Sequence, residues 1–152
     1  MQFRSRGFTL IELMVVVALA ALLLGIGVPS FTGFIAGQRV KTAASDFAMA
    51  VVHARSEAIK RNADVTVTAV SSGAGGWKDG WTVAAAGGVQ LSTQSAYSGL
   101  TFAGPSSAIT YKSTGRLSAA VSNMTITGRD GSAVRCVSFD LSGLPKSKTG
   151  AC

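Results

Sequence analysis

Hydrophobic and polar positions recur in three different rhythms along these 152 residues, and each rhythm predicts a different kind of element. From Phe8 to Val28 the chain is almost wholly apolar, 21 residues broken by a single acid, Glu12, and ended by Pro29. At 1.5 Å per residue such a run spans about 31 Å, enough to cross a bilayer core as a helix. From Val40 the rhythm changes. Val40, Ala43, Ala44, Phe47, Val51, Ala54 and Ala58 recur at three-and-four spacing, while Asp46, His53, Glu57 and Lys60 fall off that stripe. This predicts an amphipathic continuation of the helix with a sheet packed on the stripe. Glu57 is placed to pair with Lys60 or Arg61, and Asn62 suggests a stop. Between the two stretches, Pro29, Gly33 and Gly37 are poor helix-interior residues, so a kink at Pro29 and a loosened, partly melted segment are expected.

The third rhythm has period two. Asp64 to Val70 alternates and is β-branched, which reads as a strand, with Ser71 to Gly76 as a turn or loop. Trp77-Lys78-Asp79-Gly80-Trp81-Thr82-Val83 then places Asp-Gly turn chemistry between two aromatics. Both tryptophans are expected as packing anchors rather than a ligand cage. Shorter strands are predicted at Val89 to Thr93, Leu100 to Ala103, Ala108 to Lys112, Met124 to Thr127 and Val134 to Phe139. Their spacing, with Gly87-Gly88, Gly104-Pro105 and Ser113-Thr114-Gly115 between several of them, predicts antiparallel meanders. No repeat of 20 to 50 residues is visible.

Glu12 sets the next question. A lone carboxylate in a spanning helix costs on the order of 3 kcal/mol, so it calls for a partner. It follows a short polar leader, MQFRSRG, with Arg4 and Arg6, and sits in Gly7-Phe8-Thr9-Leu10-Ile11-Glu12-Leu13. That junction resembles the processing site of type IV pilins and type II secretion pseudopilins. The WxxGW arrangement at Trp77 to Trp81 resembles the GspH/FimT branch of the same superfamily. The resemblance implies an α+β type IV pilin fold, a helix of about 50 residues whose second half packs on a small antiparallel β-sheet domain. It divides the chain into a leader at 1–7, a membrane and filament-core helix at 8–28, its amphipathic continuation at 29–62 and a β-rich domain at 63–152.

It further implies cleavage after Gly7 and N-methylation of Phe8 by a prepilin peptidase. Glycine at that position lets an extended leader pass close to a protease. The new Phe8 amine is positively charged, and Glu12 of one subunit could pair with the Phe8 amine of a neighbour inside a filament. The partners implied are other major and minor pilins or pseudopilins, an inner-membrane assembly platform, and membrane lipid before assembly. The globular domain would lie in the periplasm, then in a pseudopilus or at a pilus tip. The alternatives are an uncleaved anchor with a snorkelling Glu12, or a secretory signal. The second fits poorly, because such a signal is cut after its apolar region.

Composition refines this in two places. The net charge is +7 with a pI near 10.0. The tail holds most of the excess, with Lys112, Arg116, Arg129, Arg135, Lys146 and Lys148 against Asp130 and Asp140. A concentrated positive field favours an anionic partner. The tail resembles the end of FimT- and FimU-like minor pilins, some of which contact DNA through a GRxR motif. Here the matching residues are Gly143-Leu144-Pro145-Lys146, lacking both arginines. Lys146, Lys148, Arg129 and Arg135 are the candidate DNA-binding residues, against ordinary solvated loop charge. Cys136 and Cys152 are the two cysteines, and in an exported domain they are expected to form a disulfide.

No catalytic set is legible, and no cofactor or metal is called for. His53 is the one histidine and has no second ligand at metal spacing. The acids are few and scattered, and no phosphate loop is present. Two functional classes stay open: a structural subunit that initiates or tips a pilus or pseudopilus, and a nucleic-acid receptor at a pilus tip.

Overall fold

A computed structural model describes residues 8–140 and 142–152, and for 26–32 the backbone alone. The leader, with Arg4, Arg6 and Gly7, lies outside the described residues. One helix, α1, runs Leu10–Arg61 over 52 residues. Helical backbone continues through Gly33 and Gly37, so the melted segment expected there is not seen. The propensity cost of two glycines is about 2 kcal/mol, which a helix this long absorbs. The kink expected at Pro29 falls where side chains are not described.

The chain divides into two compact units, with the boundary between Ile35 and Ala36. In the first, every described side chain from Phe8 to Gly25 is exposed. Among the described residues no helix is long and apolar enough to cross a membrane. Side chains described without interruption run from Leu10 to Gly25, which is 16 residues of the apolar run.

In the second unit the predicted stripe is the buried face of α1. Val40, Ala43, Ala44, Phe47, Val51, Ala54 and Ala58 are all at most 1% exposed. Asn62 ends the helix in a left-handed conformation at φ 49°. Ala63 N–H bonds back to Ala58 O at 3.2 Å and Asn62 N–H to Ile59 O at 3.3 Å, a Schellman closure. Glu57 accepts from both predicted partners, Arg61 Nε at 2.6 Å and Lys60 Nζ at 3.5 Å. Arg61 first, then Lys60, hold its carboxyl below the usual range.

Eight strands follow: β1 Val65–Ala69, β2 Trp81–Ala85, β3 Val89–Gln94, β4 Leu100–Ala103, β5 Ile109–Tyr111, β6 Met124–Gly128, β7 Val134–Phe139 and β8 Pro145–Thr149. They form two four-stranded sheets, ordered β3-β2-β1-β5 and β4-β6-β7-β8, with every pairing antiparallel. The meanders β1-β2-β3 and β6-β7-β8 are as expected, while β4 and β5 each leave to pair across the chain. One core joins the helical stripe to the inner faces of both sheets. Phe47 lies at its centre, edge-on to Trp77 at 5.3 Å, to Trp81 at 5.5 Å and to Phe139 at 6.4 Å.

Two details differ from the sequence reading. Asp79-Gly80 is not a hairpin turn. A single 3-10 turn, Gly76–Asp79, carries Trp77 into the core and hands the chain to β2. Gly80 is required there, at φ 101°, because a β-carbon would stand 2.1 Å from Gln94 O. Both tryptophans are buried as expected, and Trp77 Nε1 donates to Pro105 O at 2.8 Å. The second difference is β8, a strand where a basic loop was expected.

Candidate assembly site and the basic segments

The start of α1 is built by four consecutive residues, Thr9-Leu10-Ile11-Glu12. Thr9 precedes the first helical residue, and Glu12 lies three positions on, in the first turn. Thr9 N–H and Thr9 Oγ1 both donate to Glu12 Oε2 at 2.9 Å, while Glu12 N–H donates to Thr9 Oγ1 at 3.3 Å. This reciprocal arrangement is a capping box, satisfying helix-terminal donors that would otherwise be unpaired. The carboxylate also stands at the positive end of the helix dipole. Sequence reasoning missed this, although Thr-x-x-Glu before an apolar run is its signal. Phe8 is 82% exposed immediately before the box, so the residue carrying the methylation call and the acid are neighbours. Both hydrogen bonds to the carboxylate fall on Oε2.

At the other end of the chain, Cys136 and Cys152 form the expected disulfide, 16 residues apart in sequence. It is set in the outward layer of the second sheet. Thr125, Cys136 and Lys148 lie opposite one another across β6, β7 and β8, and Cys152 N–H reaches Thr125 Oγ1 at 3.4 Å. The hairpin before β8 is tied by Asp140, whose Oδ1 accepts from Ser142 N–H at 2.9 Å, Ser142 Oγ at 2.6 Å and Leu144 N–H at 2.9 Å. The Ser142 hydroxyl, then Leu144 N–H, lower its pKa. Gly143, the first residue of the GRxR-like stretch, is buried and its carbonyl accepts from Tyr111 Oη. Leu144 and Pro145 then lead into β8.

The four candidate DNA-binding residues do not gather into one patch. Lys146 and Lys148 lie on the outward face of β8, paired with Ser138 and Cys136, and both are exposed. Arg135 pairs with Ile126 and shares the opposite face with Val137. Arg129 lies in the turn between β6 and β7. Among the described residues, no three His, Cys, Asp or Glu side chains come together as a metal site.

Comparison with known proteins follows the same division of the chain. The family described as Type II transport protein GspH matches residues 43–143, and the pattern described as Prokaryotic N-terminal methylation motif matches residues 2–28. No curated protein matches. Two crystal forms of the type IV minor pilin FimU of Pseudomonas aeruginosa PAO1 are similar in fold at 20% identity. In one the TM-score is 0.59, with 74% of this chain and 89% of that chain covered. In the other it is 0.55, with 72% and 91% covered. The methylation motif is that of membrane-anchored pilins, which are processed by a prepilin peptidase and assemble with other pilins. With its GspH match over two thirds of its length and this motif at its start, the chain belongs to the GspH family, as a minor pilin or pseudopilin of a type IV pilus or type II secretion system.

Proposed function

We propose that this protein is a structural subunit that primes assembly and sits at or near the filament tip. The observation that carries the assembly reading is Phe8 beside the Thr9–Glu12 box, at the head of a helix whose described apolar side chains are bare. Leu10, Ile11, Leu13, Met14 and Leu23 are between 60% and 76% exposed, so this surface must be covered by lipid or by other subunits' helices. The place near the tip is what the likeness to this branch implies. The precursor waits in the inner membrane with its globular unit in the periplasm, is cut after Gly7 and is methylated at Phe8. Extraction into the filament then exchanges lipid for neighbouring helices. In the filament, the Phe8 amine of an adjacent subunit takes Glu12 as its counter-ion.

The test is Glu12→Ala in the full chain. Membrane insertion and cleavage after Gly7 should be intact, while incorporation into filaments falls at least tenfold. That is the consequence of losing about 1.4 kcal/mol or more at a desolvated ion pair. Normal incorporation would refute the pairing. Deleting the whole protein should reduce the number of filaments and leave their length unchanged, as expected of a priming subunit. Unchanged numbers would overturn that role.

A second reading rests on β8. Lys146 and Lys148 project from the same exposed face two residues apart, an arrangement suited to successive phosphates of a nucleic acid. Lys146 has Asp140 at 3.8 Å, a distance too long to remove its charge from play. If these two residues carry DNA contact, log affinity should fall with log salt with a slope of about −1.8. Lys146→Ala with Lys148→Ala should abolish that dependence. A slope unchanged in the double variant removes β8 from consideration.

A further inference from the structure

We propose that the end of the globular unit at which α1 enters it is a docking surface for anionic phospholipid headgroups, formed by Arg39, Lys41, Arg129 and Arg135. This rests on the membrane-anchored reading above and adds a second, electrostatic contact made by the folded unit itself.

The four residues come from three elements that the fold brings to one level. Arg39 and Lys41 flank Val40, the first core residue of α1, and both are exposed. The β6–β7 turn arrives at the same place. A β-carbon on Gly128 would meet Val40 Cγ2 at 3.4 Å, and Gly128 N–H bonds Ala133 O at 2.8 Å, closing the turn that carries Arg129. Arg135 stands just beyond this turn on the inner face of β7, half-buried and paired with Ile126. Phe139 lies further along that face, against Phe47. From Phe47 back to Val40 is about 10 Å of helix, and from Phe139 back to Arg135 about 13 Å of strand, so Arg135 lies level with Val40.

The charge there is unspent. Among the described residues none of the four takes part in an ion pair, whereas Lys60, Arg61, Lys78, Lys112 and Lys146 all do. The one acid in the turn, Asp130, accepts from Ser132 N–H at 3.2 Å and Ser132 Oγ at 2.7 Å, and leaves the cluster at four cations against one anion. Chain length identifies what meets it. Arg39 follows Val28, the end of the apolar run, by 11 residues, about 16 Å of helix. Headgroups extend several ångströms beyond the hydrocarbon, long basic side chains reach several more, and charges at such a surface act across about 8 Å at physiological salt. This cluster therefore meets the lipid surface first, whereas Lys146 and Lys148 belong to a different strand and face. The contact seats the unit on the membrane while the precursor waits, and is given up when the subunit is extracted.

The full chain should be reconstituted in nanodiscs of phosphatidylcholine alone, or with a third of the lipid replaced by phosphatidylglycerol, and followed by hydrogen–deuterium exchange. The amides of residues 129–133 should exchange about fivefold more slowly in the anionic discs, and the difference should vanish at about 0.5 M salt. It should also vanish in the triple variant Arg39→Gln, Lys41→Gln, Arg129→Gln, which leaves the half-buried Arg135 in place. Equal exchange in both lipids, with residues 10–25 protected in both, overturns the proposal and leaves the anchor standing. Loss of protection over 10–25 instead overturns the anchor reading. Slowing that survives the triple variant overturns the assignment to these residues. Slowing by a short DNA duplex in phosphatidylcholine discs, with none from phosphatidylglycerol, overturns the assignment to lipid.

Discussion

Two tyrosines show how single hydroxyls hold this fold together. Tyr97 stacks on Trp81 at 5.7 Å and donates to Asp46 Oδ2 at 2.7 Å, tying the β3–β4 loop to the helix. Tyr111 is fully buried and donates to Gly143 O, tying β5 to the hairpin before β8. Burial is the main cause that raises both hydroxyls, with Asp46 adding to it at Tyr97 and Arg55 opposing it at Tyr111, which rises to about 12. An unfolded tyrosine ionises near 10. Each group is raised in the folded state, so its stabilising contribution is complete below about pH 10 and is lost as pH climbs from there towards its folded value. Stability by denaturant melts should accordingly be flat from pH 8 to about 10 and then fall. Tyr97→Phe and Tyr111→Phe together should flatten the alkaline limb while costing roughly 1 kcal/mol per lost hydrogen bond at neutral pH. An alkaline limb unchanged in the double variant would show that these hydroxyls are not its source.

Among the elements, β8 is held most weakly by packing. Its pattern is one partly buried residue, Pro145, and four exposed ones, so little apolar area fastens it to β7. Backbone pairing and the Cys136–Cys152 bridge do that instead. Closing a loop of this size stabilises by about 3 kcal/mol in the chain-entropy picture. Cys136→Ser with Cys152→Ser should therefore let the amides of 145–149 exchange at least tenfold faster, with β6 much less affected. If β6 and β8 loosen together, the bridge supports the whole sheet. The same strand marks where the sequence became illegible. Helix and core strands announced themselves because burial selects residues: the stripe from Val40 to Ala58, or Val65 and Val67, cannot be polar. Pro-Lys-Ser-Lys-Thr shows no such selection, and its proline and lysines are what protects an open sheet edge. Asp79-Gly80 misled for the opposite reason. Its turn chemistry was real, but Trp77's need for the core used it to re-aim the chain. At the assembly site the residues were legible, and the Thr9–Glu12 box went unseen because Glu12 had been weighed only as an ion.

For the whole molecule, the question is whether anchor and globular unit depend on one another. All core residues lie from Val40 onward, and none of the described side chains of the apolar run is buried. The unit beginning at Ala36 holds the full stripe, both sheets and the disulfide. It should therefore fold without the segment before it. The expectation is a single cooperative transition, and a near-ultraviolet signal from Trp77 and Trp81 matching that of the full chain in detergent. Phe47→Ala removes the ring against which Trp77, Trp81 and Phe139 pack, and should lower stability by about 3 to 5 kcal/mol in either form. A marked loss of stability on removing the first segment would mean that the apolar run contributes to the core. Independence is also what the proposed life cycle demands. A helix that passes from lipid to a bundle of other subunits changes nearly its entire surroundings. Only a globular unit whose stability is indifferent to that exchange presents the same surface before and after extraction, and the exchange itself then falls to the apolar helix, Glu12 and the basic end of the unit.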